Sequence, residues 1–297
     1  MYTLLSSFTI LYPGEFIVRG LRLRSMKAII LCSFVLTVSV RAAVIPAGTG
    51  DSTRLDSHYL AGILHDTGRI TVSPLHWSGG DYLTAGGLLL AGTALYTRDS
   101  RIRDRAQRWR GGFSDDISRA VKPFGDGRYT LPALGALYLY GRLGSDFKAS
   151  GTALLGVESF AVAGLFTGAL KDLAHRHRPS SGDPYDSWDG PALSVENQSF
   201  PSGHSSAAFA VMTVIAKQYG NHRWVPPLAY GIATLTALSR VNDNAHWSSD
   251  VLFGSAIGFF TARAVLHCHE LHVHGAGLSL MPPSDFHKLG LGMTLAD

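Results

Sequence analysis

Six apolar stretches run through the chain, and their pattern is the strongest constraint on how it folds. They cover residues 82–96, 131–140, 152–170, 207–216, 225–238 and 251–266. A half-buried strand alternates apolar and polar side chains, and none of the six does so. They are rich in Ala, Leu and Gly, whereas strands favour β-branched and aromatic residues. The pattern predicts an all-α bundle of about six core helices, with 81–274 as the helical domain. Ahead of it, 44–80 are polar and broken by Pro46, Pro74 and Gly79-Gly80, and read as an irregular or partly helical lead-in. Behind it, the tail 275–297 alternates loosely at Leu278, Leu280, Leu289 and Leu291 around Pro282-Pro283, which predicts a small β-hairpin. Gly164 and Gly168, one helical turn apart, would let a second helix approach closely.

Charge narrows the function classes. Charged residues make up 16% of the chain, well below the usual share of roughly a quarter. The mean hydropathy of +0.12 is modest for a chain that crosses a bilayer many times. Composition alone therefore leaves soluble and membrane-bound forms open. A net charge of +4 suits an anionic substrate or surface. No Lys/Arg-rich stripe is interleaved with aromatic residues, which argues against nucleic acid as a partner. The basic stretch carrying Arg98, Arg101, Arg103, Arg105, Arg108 and Arg110 reads as a solvated amphipathic helix. Two cysteines, Cys32 and Cys268, make no disulfide framework.

At the N-terminus, 26–43 have the form of a secretory signal. A basic start at Lys27 leads into an apolar run over 28–40 and then the small residues Ala42 and Ala43. Met26 reads as the true start, with 1–25 as an upstream extension, and an uncleaved anchor helix is the competing reading. Either way the chain is expected to be exported, with its site facing the periplasm or the outside. If six helices spanned a membrane, a cleaved signal would send the loops 171–206 and 239–250 to the inner side, together with the basic stretch 98–110. The apolar segments are also mostly short of spanning length, and Glu158 interrupts the longest. The expectation is an exported protein that is soluble or membrane-associated.

Three short segments at the ends of predicted helices carry chemistry. In the first, Lys171 and Arg178 stand two helical turns apart ahead of Pro179, which stops the helix. Two cations on one face suit a tetrahedral oxyanion, although a basic helix C-terminus is also what the helix dipole favours. In the second, Pro201-Ser202-Gly203-His204, the serine can cap a helix and the glycine lets a ligand approach the backbone. Free N–H groups at a helix start attract anions, and His204 could protonate a departing oxygen. In the third, Ser239-Arg240 precedes His246 and Asp250. The last two stand four apart, so a carboxylate could hold one imidazole nitrogen and leave the other free to attack. Alone, such a His–Asp pair is more often an ordinary surface contact.

Together, Lys171…Arg178-Pro179, Pro201-Ser202-Gly203-His204 and Ser239-Arg240…His246…Asp250 resemble the three-part signature of the phosphatidic acid phosphatase type 2 and vanadium haloperoxidase superfamily. All fixed positions are present in the right order. The resemblance implies an all-α fold with the site among helix ends. It also implies that His246 takes a phosphoryl group covalently, Asp250 orients it and His204 protonates the leaving group. Lys171, Arg178, Ser202, Gly203 and Arg240 would bind the phosphate oxygens. The activity so implied is a metal-independent, acid-type phosphatase of phosphate monoesters or diphosphates, perhaps of lipids. It would need no cofactor and would show a bell-shaped pH profile at or below neutrality. The alternatives are a haloperoxidase holding vanadate in the same pocket and a non-catalytic anion- or lipid-binding protein.

The His267–His274 run offers metal-ligand residue types, but it has no second ligand set at matching spacing and reads as a polar helix end. His175 and His177 read as part of a basic turn. Asp183, Asp186, Asp189 and Glu196 read as a solvated loop, and Trp188 and Trp247 as packing or lipid contacts.

Overall fold

The structure, a computed structural model, describes residues 55–274. Nine α-helices occur among them: α1 (Ser57–Val72), α2 (Gly79–Tyr96), α3 (Asp99–Trp109), α4 (Gly112–Val121), α5 (Gly127–Leu143), α6 (Phe147–Ala174), α7 (Gly203–Gln218), α8 (Val225–Asn242) and α9 (Ser248–His274). No strand occurs among the described residues, and the hairpin predicted for 275–297 lies outside them. The six apolar segments all fall in helices (α2 and α5 to α9), and the basic stretch becomes α3. The lead-in holds a further helix, α1, lying between the breakers Pro46 and Pro74. Its start is set by Asp56, whose carboxylate accepts from Tyr59 N–H.

Local chemistry fixes most of the helix starts. Ser78 and Asp81 form a capping box at α2, Asp126 caps α5, Asp146 caps α6 and Ser202 caps α7. Pro226 and Pro227 fall in the first turn of α8, where a missing N–H costs nothing.

Helix α7 is the centre of the bundle, packed against α6, α8 and α9. Ten of its sixteen residues are buried, among them Ser205, Ser206, Ala207, Ala208 and Ala210, and these small side chains let three neighbours close in. Ala208, Met212 and Ala216 meet Ala229 and Ala233 of α8 on one side, and Val214 meets Ala262 and Leu266 of α9 on another. The closest backbone approach is at Gly254 and Gly258 of α9. A Cβ at either would collide with the carbonyl oxygen of Ser202 or of Ser206. The pair suspected from sequence, Gly164 and Gly168, has no such role, since a Cβ at either would meet nothing within 4 Å.

Helix α6 and the Ser248–His269 part of α9 are long and apolar enough to cross a membrane by length and composition. Both are core helices, with 50% and 44% of their apolar windows buried in the bundle. The outer surface also carries large apolar side chains. Leu83 and Leu90 on α2, Leu139, Tyr140 and Leu143 on α5, and Leu228, Leu235 and Leu238 on α8 are all exposed.

Candidate active site

The three sequence segments converge at one end of α7. Helix α6 ends at Ala174, where His175 adopts a left-handed conformation (φ 40°) and donates its N–H to Lys171 O. This is earlier than the stop expected at Pro179. Residues 175–178 are instead held by the following loop: Ser199 N–H donates to Arg176 O, and His177 N–H to Ser187 O. Arg178 is therefore extended and does not share a helix face with Lys171. The two cations still meet. Lys171 Nζ donates to Gln198 O at 2.5 Å, and Arg178 donates to Ala245 O at 3.2 Å and to Gln198 O at 3.4 Å.

Ser202 is fully buried, and its Oγ accepts from Ser205 N–H. Its own N–H donates to Asp250 O at 3.0 Å, which ties the start of α7 to the first turn of α9. A Cβ on Gly203 would stand 3.9 Å from Lys171 Cε, so the lysine stem passes over the glycine. His204 follows, and its Nε2 is shielded from solvent with no hydrogen-bond partner. A buried polar atom left without a partner is uncommon and marks a place where a ligand atom can bind. Arg240, in the last turn of α8, is held by Ser239 Oγ and by Asp243 Oδ2 at 2.9 Å.

His246 is 4% exposed and lies two residues ahead of α9. Its Nδ1 is 2.7 Å from Ser199 O but 3.9 Å from Asp250 Oδ2. The direct orienting partner is thus a backbone carbonyl, with the aspartate acting by charge at longer range. A carbonyl can only accept, so Nδ1 carries the proton and Nε2 keeps its lone pair. Asp250 is immobilised by Ser199 Oγ at 2.6 Å, Trp247 N–H at 2.9 Å and Arg176 at 2.6 Å.

Arg176 is the main residue that sequence reasoning missed. It is fully buried and bridges Asp250 and Asp99, which Ser248 and Ser249 also bind. Its guanidinium lies over the rings of Tyr96, Trp188 and Trp247, so the two tryptophans pack on a cation. The flanking histidines hold the loop. His175 contacts the carbonyls of Asp172 and Ser194, and His177 sits between Asp183 and Asp189.

Burial, reinforced by the cations Lys171 and Arg178, pushes the His246 pKa down to about 4 against the opposing pull of Asp250. Burial also takes His204 down to about 4, helped by Arg240 and His246. Burial lowers the Arg178 and Arg240 values as well. These mutual effects link Lys171, Arg178, His246, His204 and Arg240 into one cluster of cations around two neutral imidazoles. Such a cluster can hold a tetrahedral anion against the free nitrogen of His246.

Residues 152–273 match the family model of the PAP2 superfamily. A lipid A 1-phosphatase of Porphyromonas gingivalis is 44% identical over 66 residues, 22% of this chain and 15% of that protein. A PA-phosphatase related-family protein of Dictyostelium discoideum is 34% identical over 134 residues, 41% of this chain and 49% of that protein. A protein of Schizosaccharomyces pombe named "Probable diacylglycerol pyrophosphate phosphatase 1" is 29% identical over 189 residues, 53% of this chain and 63% of that protein. The chain thus spans less than two thirds of the length of each of these relatives. All three motif segments lie within 152–273, the stretch that matches the PAP2 superfamily model.

Proposed function

We propose that the chain is a metal-independent, acid-type phosphatase that hydrolyses phosphate monoesters or diphosphates of lipids through a phosphohistidine. The observation that carries this reading is the state of His246: Nδ1 engaged with Ser199 O, Nε2 free, and the cations Lys171 and Arg178 close enough to depress its pKa. Phosphoryl transfer needs chiefly positioning and neutralisation of charge on the phosphoryl oxygens. Lys171, Arg178 and Arg240 supply three cations, and Ser202 and Gly203 bring the amides of a helix start.

The reaction has two steps. His246 Nε2 attacks phosphorus, the P–N bond forms as the P–O bond to the leaving group breaks, and His204 protonates the departing oxygen. Water then attacks the phosphohistidine and gives a proton to His204, and the P–N bond breaks to release phosphate. His204 is neutral in the free site, so the phosphate charge must raise its pKa on binding, as an anion beside an imidazole does. The names of the relatives support a lipid phosphate as substrate, and the exposed leucines of α2, α5 and α8 support association with a lipid phase. The signal-like 26–43 supports an exported site.

The test is a panel of lipid and soluble phosphates assayed as initial rates with and without chelator, alongside His246→Ala. We expect turnover of lipid phosphates to survive chelation, with an acid-labile, base-stable phosphoenzyme that is lost with turnover in His246→Ala. Full activity in that variant, or vanadate-dependent bromide oxidation in place of phosphate release, would overturn the reading.

A further inference from the structure

A second polar cluster lies well away from the catalytic end. Glu158 is thirteen residues before Lys171 on α6, about 20 Å along the helix axis. It is 1% exposed, Asp66 of α1 is 2% exposed, and both face His269 of α9. His269 Nε2 lies 2.8 Å from Glu158 Oε2 and 3.8 Å from Asp66 Oδ2. One ligand-type atom from each of the three lies within 4.8 Å of the others. Ligand atoms about 2.1 Å from a tetrahedral ion stand about 3.4 Å apart, and the two measured separations straddle that value.

Two further observations point to an ion in this place. Glu158 Oε1 is buried and makes no hydrogen bond. Such an oxygen is costly to leave bare, whereas a cation bound through the same carboxylate would satisfy it. Moreover, Asp66 Oδ1 lies 3.2 Å from His65 Nδ1, which fixes the carboxylate with Oδ2 turned to the cluster. A ligating carboxylate oriented by a neighbouring hydrogen bond is the usual outer shell of a metal site. Charge agrees. A divalent cation would balance two buried carboxylates brought together beside one imidazole.

We propose that Asp66, Glu158 and His269 bind one divalent transition-metal ion of the zinc type, which fastens α1 to the core helices α6 and α9. Two carboxylates and one imidazole form a donor set that suits such an ion. The role is structural, because the cluster is far from His246. Besides this cluster, the tie between α1 and α6 includes a hydrogen bond from Tyr59 OH to Leu154 O at 2.8 Å.

The experiment strips the untagged chain with chelator and reloads it with Zn²⁺ or Co²⁺. It reads metal per chain after gel filtration, the visible absorption of Co²⁺, and the melting temperature. One ion per chain, a four- or five-coordinate Co²⁺ spectrum and a raised melting temperature are expected. Glu158→Gln and His269→Ala should lose the ion, and His65→Ala should weaken binding about 10–100-fold. His267→Ala should leave it intact, and initial phosphatase rates should stay near wild type in all four variants. If His269→Ala does not fold, Asp66→Asn serves in its place. Failure of the wild-type chain to retain an ion, or equal retention by Glu158→Gln, would overturn the proposal.

Discussion

Arg176 lies just beyond the end of α6 and Glu158 lies midway along it, yet the two meet burial in opposite ways. Around Arg176 every carboxylate oxygen is satisfied. Asp99 Oδ1 accepts from Ser248 Oγ and Ser249 N–H, and its Oδ2 from Arg176. Asp250 Oδ1 accepts from Arg176, and its Oδ2 from Ser199 Oγ and Trp247 N–H. Around Glu158 one oxygen has no partner, and two carboxylates share a single imidazole. A network completed by protein groups is a preformed scaffold that holds its geometry with or without a ligand. An incomplete one leaves room for a cation. The catalytic end combines both devices: its scaffold is closed, while His204 Nε2 in front of it has no partner.

The comparison breaks most directly at Arg176. Arg176→Met keeps apolar bulk between Tyr96, Trp188 and Trp247 but leaves two buried carboxylates without their cation. Removing one partner of a buried ion pair costs about 3–5 kcal/mol. An unfolding free energy lowered by that amount is expected in a denaturant titration, together with a fall in kcat, because Asp250 loses the cation that fixes it. A loss below about 1 kcal/mol would show that the scaffold does not depend on its cation.

Acid distinguishes a closed scaffold from a titrating one by the second largest effect. The His246 pKa is held at about 4 in the folded chain against an ordinary 6.5. Between those values the unfolded chain binds the extra proton, so stability is full above about pH 6.5 and falls as pH drops toward 4. A shift of that size corresponds to about 3 kcal/mol. Urea unfolding at stepped pH should show this slope together with a like one from His204, and His246→Asn should remove only the part due to His246. If His204 is the proton donor as proposed, bound phosphate should raise its pKa, so the alkaline limb of kcat should lie at higher pH than that of kcat/KM. Coincident limbs would argue against His204 as the proton donor.

The helices and the residues that gather at the catalytic end were legible because they carry local signals. The apolar segments, the Pro-Ser-Gly helix start and the spacing of Lys171, Arg178, Arg240, His246 and Asp250 can all be read within a few residues of each position. Arg176 could not be found that way. It sits between two histidines in what reads as a solvated turn, and its partners lie 77 residues earlier and 74 later. Asp99 was hidden likewise at the edge of an arginine-rich helix. Ser199 orients His246 through its carbonyl, which every residue possesses and no side chain announces. The early end of α6 was illegible for another reason: the left-handed position belongs to His175, where glycine or asparagine is the usual signal. In the sequence the Glu158 cluster falls in pieces, as an interruption of one segment and a histidine run at the end of another, because Asp66 lies on a helix in the lead-in.

Two glycine pairs with the same spacing give the smallest and most local test of how tightly the catalytic end is built. Gly254 and Gly258 lie against the backbone of α7 at Ser202 and Ser206, whereas Gly164 and Gly168 meet nothing within 4 Å. Gly258→Ala would drive a methyl group into Ser206 O and to 2.9 Å from Ala210 N, both backbone atoms that move only with their helix. Overpacking of this kind costs about 1–3 kcal/mol. Gly164→Ala, on the exposed side of α6, should instead stabilise by up to about 1 kcal/mol through helix propensity. Gly254→Ala presses on Ser202, which caps α7 two residues before His204, so it should lower kcat/KM more than Gly258→Ala does for a similar loss of stability. Equal activity losses in the two variants would mean that the α7 start tolerates displacement, and that the fixed geometry of the catalytic end comes from the Arg176 network alone.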